Sequence, residues 1–139
     1  MKRINALAML TLAAFLAVPG ARAQKVELTA RIPFQFTVSK TTLPAGTYLI
    51  SSPWPGVIRI ENVDKNLRAG VTTTHEYQVP RGGDKLVFNK YGEQYFLHAV
   101  LCSETAQMNV DLPTGNQENR ARTREAKLNQ ADQVLVAAN

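Results

Sequence analysis

Lys85-Leu86-Val87-Phe88-Asn89-Lys90-Tyr91-Gly92-Glu93-Gln94-Tyr95-Phe96-Leu97-His98-Ala99-Val100-Leu101 contains two apolar, β-branched and aromatic runs separated by Gly92-Glu93. Such a pattern predicts a β-hairpin, with glycine at the first of two loop positions suiting a type II′ turn. Pairing Tyr91 with Gln94 sets Phe88 opposite Leu97 and Leu86 opposite Ala99, on a face assigned to the core. The other face carries Tyr91, Asn89, Val87 and Lys85 beside Phe96, His98 and Val100. It is mixed in character, suited to a rim, a second-sheet contact or a lined cavity, and Phe96, His98, Asn89 and Lys85 are its candidate site residues.

Period-two alternation extends outward from this hairpin over most of Lys25 to Asp111. It predicts one strand with Ile32, Phe34, Phe36 and Val38 on its buried face, where Pro33 marks an edge or a strand start because it cannot donate to a ladder. Leu43-Pro44-Ala45-Gly46 reads as a turn leading into a strand at Thr47 to Ser51. Pro55-Gly56 favours a type II turn before the strand Val57 to Glu61. Asp64-Lys65-Asn66, with Asn66 tolerating positive φ, then closes a hairpin to Leu67–Thr74. The fold class is all-β: an antiparallel β-sandwich or partly closed β-barrel of about seven or eight strands. Beyond Pro113 the chain becomes rich in Arg, Glu, Gln and Ala, which predicts a C-terminal helix from Gln117 to about Gln133. Its apolar positions, Ala121, Leu128 and Ala131, form a narrow face, so that the helix docks weakly or sways free. Residues 24–112 are thus read as the β domain and 113–139 as the C-terminal helix and tail.

The N-terminus has the order of a secretory signal: Lys2-Arg3, the 13-residue uncharged run Ala6 to Val18, Pro19-Gly20, then Ala21-Arg22-Ala23. Cleavage after Ala23 leaves a secreted or periplasmic chain of 116 residues, enough for one self-sufficient core. The run is short of the ~20 residues that span a bilayer, so no transmembrane segment is expected after its removal. Losing Lys2, Arg3 and Arg22 leaves 13 basic against 11 acidic residues, which removes the compositional support for a nucleic-acid partner. Cys102 is the only cysteine, so no intramolecular disulfide forms. Its place at the end of an apolar run predicts burial, the alternative being a reactive thiol or one that pairs between chains.

The sequence contains no Gly-x-Ser-x-Gly, His-Glu-x-x-His or Cys-x-x-Cys. Its two histidines, His75 and His98, lie on different segments. His75-Glu76 joins a metal site only if the fold brings further ligands to it, and a solvent-facing pair is the simpler reading. No catalytic residue, metal or cofactor is expected. Two features point to a partner. Trp54 is stiffened between Pro53 and Pro55, a contact surface for a sugar ring, peptide or protein; its plainer role is an anchor tucked over the end of the core. Arg120, Arg124 and Lys127 recur at helical spacing and suit an anionic lipid surface, although Glu118, Glu125 and Asp132 in the same segment also fit a solvated face.

Ile32-Pro33-Phe34-Gln35-Phe36, Leu43-Pro44-Ala45-Gly46-Thr47-Tyr48, Lys85 to Gly92 and Gln94-Tyr95-Phe96-Leu97 together resemble a group of small uncharacterised exported proteins common in acidobacteria. The resemblance covers most of the β region and implies fold and export, with no active site to carry over. Asp64-Lys65 stands where such proteins often have Asp-Gly. The functional expectation is a non-enzymatic structural or interaction protein of the cell envelope, with an envelope protein or anionic lipid as partner. The alternative is a small-ligand carrier whose apolar cavity is lined by Phe34, Phe36, Phe88, Phe96 and Tyr95, residues that equally suit a filled core.

Overall fold

The structure, a computed structural model, describes residues 25–73, 75–76, 82–126 and 131–139. The expected export signal and Lys127 lie outside the described residues. Two sheets face one another. The first contains β1 (Glu27–Ile32), β4 (Gly46–Trp54), β5 (Val57–Asn62) and β6 (Arg68–Thr72), in that spatial order and antiparallel throughout. The second runs β11 (Ala131–Ala137), β8 (Lys85–Tyr91), β9 (Gln94–Leu101), β10 (Val110–Asp111) and β7 (His75–Glu76). Two short strands, β2 (Phe36–Val38) and β3 (Thr41–Leu43), pair with each other, and β2 joins β9 through the parallel bridge Thr37–Phe96. The sheets do not close into a barrel, and the β-sandwich is the form adopted. They are stitched at one corner, where Ala138 bridges Ala30 and Thr29 exchanges backbone hydrogen bonds with Asn139 at 2.6 and 3.0 Å.

Alternation puts one face of each sheet into a shared core. Along β1 every second residue, Leu28, Ala30 and Ile32, is buried; β5 contributes Ile58 and Ile60, and β6 Ala69 and Val71. Phe36, Val38, Leu86, Phe88, Leu97, Val100 and Val110 meet them from the second sheet. Cys102 is fully buried, as its apolar context predicts. Asn109 fixes the chain there, its Oδ1 accepting from the Cys102 N–H at 2.8 Å and its Nδ2 donating to the Cys102 carbonyl at 2.6 Å.

Several expected details change. The strand through Ile32 and Val38 is interrupted: Pro33-Phe34-Gln35 separates β1 from β2, and the two halves lie in different sheets. Proline removes a ladder donor where the chain crosses over. Thr37, which alternation puts on the face opposite Phe36 and Val38, is buried too, with its hydroxyl 3.2 Å from that of Thr42. Leu43–Gly46 likewise carries the chain between sheets and closes no hairpin, and the Tyr48 hydroxyl donates to the Pro44 carbonyl at 2.6 Å. β5 and β6 form the expected hairpin, but Asn66 does not take positive φ. Instead the side-chain oxygen of Asn62 accepts from the N–H groups of Asp64 and Lys65 at 3.0 and 2.7 Å, shaping the loop from its first residue.

The β8–β9 hairpin has the expected turn, with Gly92 at φ 61°, and the expected pairs Tyr91–Gln94 and Phe88–Leu97. Beyond them a β-bulge intervenes, so Leu86 pairs with Val100 and Val87 with Ala99. The extra residue is His98, which therefore does not face Val87. The helix α1 (Asn116–Ala126) is shorter than predicted, and residues 131–137 form β11, paired along the whole of β8. With β11 and the short segments β2, β3, β7 and β10, the described residues contain eleven strands, more than the seven or eight expected.

Candidate interaction sites

Trp54 ends β4 and pairs with Val57 across the two-residue loop Pro55-Gly56, where Gly56 at φ 76° supplies the positive φ of a type II turn. A register shift between Ser51 and Trp54 bends the strand before the tip, and Ser52 Oγ donates to the Trp54 carbonyl at 3.0 Å. The ring is not tucked over the core: Trp54 is 62 % exposed. Adjoining this tip is an open cleft of about 460 Å³, lined by Lys25, Val26, Ser52, Pro53, Thr105, Gln107 and Met108. Gln107 Nε2 donates to Ser52 Oγ at 3.2 Å across its floor, tying the short 3-10 turn Ala106–Met108 to β4. Two prolines and these hydrogen bonds hold an apolar ring in water, at a tip where it contributes little to the core.

The mixed face of the hairpin is largely covered. Helix α1 lies over it, with Ala121 packed against Tyr91 and Phe96, whose ring centroids are 6.0 Å apart. Glu118 is buried in the same contact at 4 % exposure, accepting from Asn89 Nδ2 at 2.9 Å and from the Tyr91 hydroxyl at 3.4 Å. Its role was missed because a carboxylate on a polar helix reads as solvated; the available signal was its spacing from Ala121, which puts both on one helix face. Lys85 is half-buried at the far end of β8. The four mixed-face candidates therefore do not line a common cavity: Phe96 and Asn89 lie under the helix, whereas His98 sits beside β10, its Nε2 3.7 Å from Asp111 Oδ1. The hollow nearest Asn89 and Tyr91 is an open dip of about 390 Å³ bordered by Asp132 and Gln133.

Burial, followed by the charge of Glu118, raises the pKa of Tyr91 above the ordinary tyrosine value. A folded-state pKa raised in this way gives stability that is complete below about pH 10 and lost as pH rises through the folded value. Among the four tyrosines, Tyr91 is expected to give a late-ionising step in an ultraviolet tyrosinate titration, and Tyr91→Phe to remove it. A wild-type curve already complete at the ordinary value contradicts this.

Arg120 and Arg124 are exposed on α1, away from the docked face of Glu118 and Ala121. Four of the five aromatics proposed as a cavity lining pack on one another. Phe34 stacks on Tyr95 at 3.9 Å and meets Phe88 edge-on at 5.1 Å, while Phe36 meets Tyr48 and Phe88 edge-on at 5.1 and 5.4 Å; Phe96 belongs to the separate cluster under the helix.

No known protein family, curated protein or solved structure matches the chain. Its function has to be argued from these surfaces. Among the described residues no helix is long and apolar enough to cross a membrane, and no three side chains of His, Cys, Asp or Glu gather as metal ligands.

Proposed function

We propose that the protein is an exported, non-enzymatic interaction protein of the cell envelope, with Trp54 as its principal anchor. One observation carries this reading: a tryptophan between two prolines stands 62 % exposed at a hairpin tip beside an open cleft. Burying such a ring on a partner gains a large apolar area with little loss of side-chain freedom, which is why tryptophan is enriched among interface hot spots. Export rests on the order of the first 23 residues, with cleavage after Ala23 and a secreted or periplasmic destination. The likeness of the strand and turn motifs to exported acidobacterial proteins supports the same assignment. The carrier reading is the weaker one, because four of its candidate lining residues are engaged with each other and Phe96 is packed under the helix. Arg120 and Arg124 supply a secondary basic contact for an anionic envelope surface, a few tenths of the Trp54 effect at physiological salt.

Co-sedimentation of the mature chain with isolated envelope fragments tests the assignment. Trp54→Ala is expected to weaken association about 30-fold, the equivalent of a hot spot worth ~2 kcal/mol. Arg120→Ala with Arg124→Ala is expected to weaken it only several-fold. Equal sedimentation of the wild type and Trp54→Ala refutes the proposed anchor.

A further inference from the structure

Gly70 is a glycine that the fold itself does not require. It stands in the middle of β6, whose register with β5 runs unbroken from Thr72 opposite Val57 to Arg68 opposite Glu61, so it marks no bulge. It is not among the residues with positive φ. A Cβ built on it meets nothing within 4 Å, so no neighbour needs the space. Glycine weakens a strand interior, and where no bulge or bend explains it, it marks the close approach of a ligand or another backbone. Nothing among the described residues makes that approach.

The backbone on either side of Gly70 is open in the same direction. The Asn62 N–H donates to the Leu67 carbonyl and the Thr73 N–H to the Gly56 carbonyl, both at 2.8 Å. Alternation of an antiparallel ladder then turns residues 67, 69, 71 and 73 toward β5. The N–H and C=O groups of Arg68, Gly70 and Thr72 point the other way, along the outer edge of the first sheet, where no described strand pairs with them. These three residues are exposed, whereas Ala69 and Val71 between them are buried. Such a row is a template for a further strand. Directly across from Gly70 is Arg59, and the two form the closer, non-hydrogen-bonded kind of pair. The Arg59 guanidinium makes no ion pair or hydrogen bond among the described residues. Arg68 lies across from Glu61 and donates to Asn66 Oδ1 at 3.3 Å, so the charges beside this edge, Arg59, Glu61 and Arg68, leave a net positive charge.

We propose that the β6 edge binds an extended segment of a partner protein by strand addition, with an aromatic side chain over Gly70 and a carboxylate beside Arg68. The ring takes the space that a side chain at position 70 would fill, as aromatic residues do opposite edge glycines, and meets the unpaired Arg59 guanidinium. An acidic residue opposite Arg68 is the favourable cross-strand pair. A second copy of this chain is the poorer occupant, because antiparallel self-pairing about Gly70 sets glycine against glycine and leaves the space empty on both strands. The site goes beyond the Trp54 reading and stands without it, and envelope co-sedimentation tests that reading separately.

Peptide binding followed by residue-resolved amide exchange tests the edge. In the free mature chain the amides of Arg68, Gly70 and Thr72 are expected to exchange fast and those of Ala69 and Val71 slowly. The probe is acetyl-Thr-Glu-Val-Tyr-Val-Glu-Thr-amide, which carries an acid on each side of one ring and so suits either strand direction. It is expected to bind saturably below about 1 mM and to slow exchange at Arg68, Gly70 and Thr72. Replacing its tyrosine by alanine is expected to weaken binding about five- to tenfold, and that preference to vanish in Gly70→Val, whose side chain occupies the place of the ring. Gly70→Val is also expected to melt above the wild type, because valine suits a strand better than glycine, so loss of binding is not loss of folding. A peptide methylated at the backbone nitrogens of its tyrosine and both glutamates tests the ladder without altering the protein, and is expected not to bind. Absence of saturable binding overturns the site, as does equal binding of the methylated peptide or an undiminished tyrosine preference in Gly70→Val. Protection of the same three amides that grows with protein concentration alone also overturns it, because the edge would then belong to a second copy.

Discussion

A mature chain ending at Gln130 is expected to lose its cooperative thermal transition in circular dichroism near room temperature. The missing segment is β11, which pairs with β8 at seven successive positions and whose continuation carries the Ala138–Ala30 bridge and the Thr29–Asn139 bonds to the other sheet. Val134, Val136 and Ala138 also pack against the core. Each fully buried valine is worth ~1.5–3 kcal/mol, and these are half-buried. Two such residues, the lost ladder and the exposed β8 edge together remove roughly 4–6 kcal/mol, against about 5–15 for a whole domain. The uncovered Leu86-Val87-Phe88 edge also becomes a template for association between chains. A truncated protein that melts like the full one would mean that residues 131–139 contribute little to the sandwich.

Phe88→Ala is expected to destabilise the protein by about 3–5 kcal/mol, the range for deleting a large aromatic from a packed core. Phe88 has no exposed surface and receives the edge-on contacts of Phe34 and Phe36 where the two halves of the interrupted N-terminal strand meet the hairpin. The cavity left by alanine is surrounded by paired strands that cannot collapse freely into it. Urea denaturation should show the midpoint falling with the slope nearly unchanged. A loss below about 1 kcal/mol would place Phe88 in a loosely packed or exposed position.

The hairpin that Phe88 belongs to was the most legible part of the chain, because a two-residue loop and strict alternation fix both turn and register. The bulge at His98 was not legible. An inserted residue leaves no compositional mark, and its cost and benefit depend on β10, which is only two residues long. Pro33 was recognised as a disturbance, yet sequence could not distinguish an edge strand from a crossover between sheets. At the C-terminus the helix-forming residues of α1 masked the change at Ala131, although Val134-Leu135-Val136 carried a strand signal within the segment read as tail. Glu118 was hidden because its partners, Asn89 and Tyr91, lie 29 and 27 residues away. The same holds for His98 and Asp111, whose side chains come to 3.7 Å only through strand pairing and the bulge. Trp54 was legible as a candidate from its flanking prolines, but its exposure was not, because the flanking prolines fit a ring tucked over the core as well as one held in water.

Trp54 is the only tryptophan in the chain, so its fluorescence reports on the proposed anchor without labelling. The direct measurement is the emission spectrum and acrylamide quenching of the mature protein, alone and saturated with isolated envelope fragments. Red-shifted, readily quenched emission in the free protein, moving to the blue and becoming shielded on binding, is the predicted result. Emission and quenching that stay unchanged while the protein sediments with the fragments would contradict the account, because the envelope would then be held by a surface that leaves Trp54 in water.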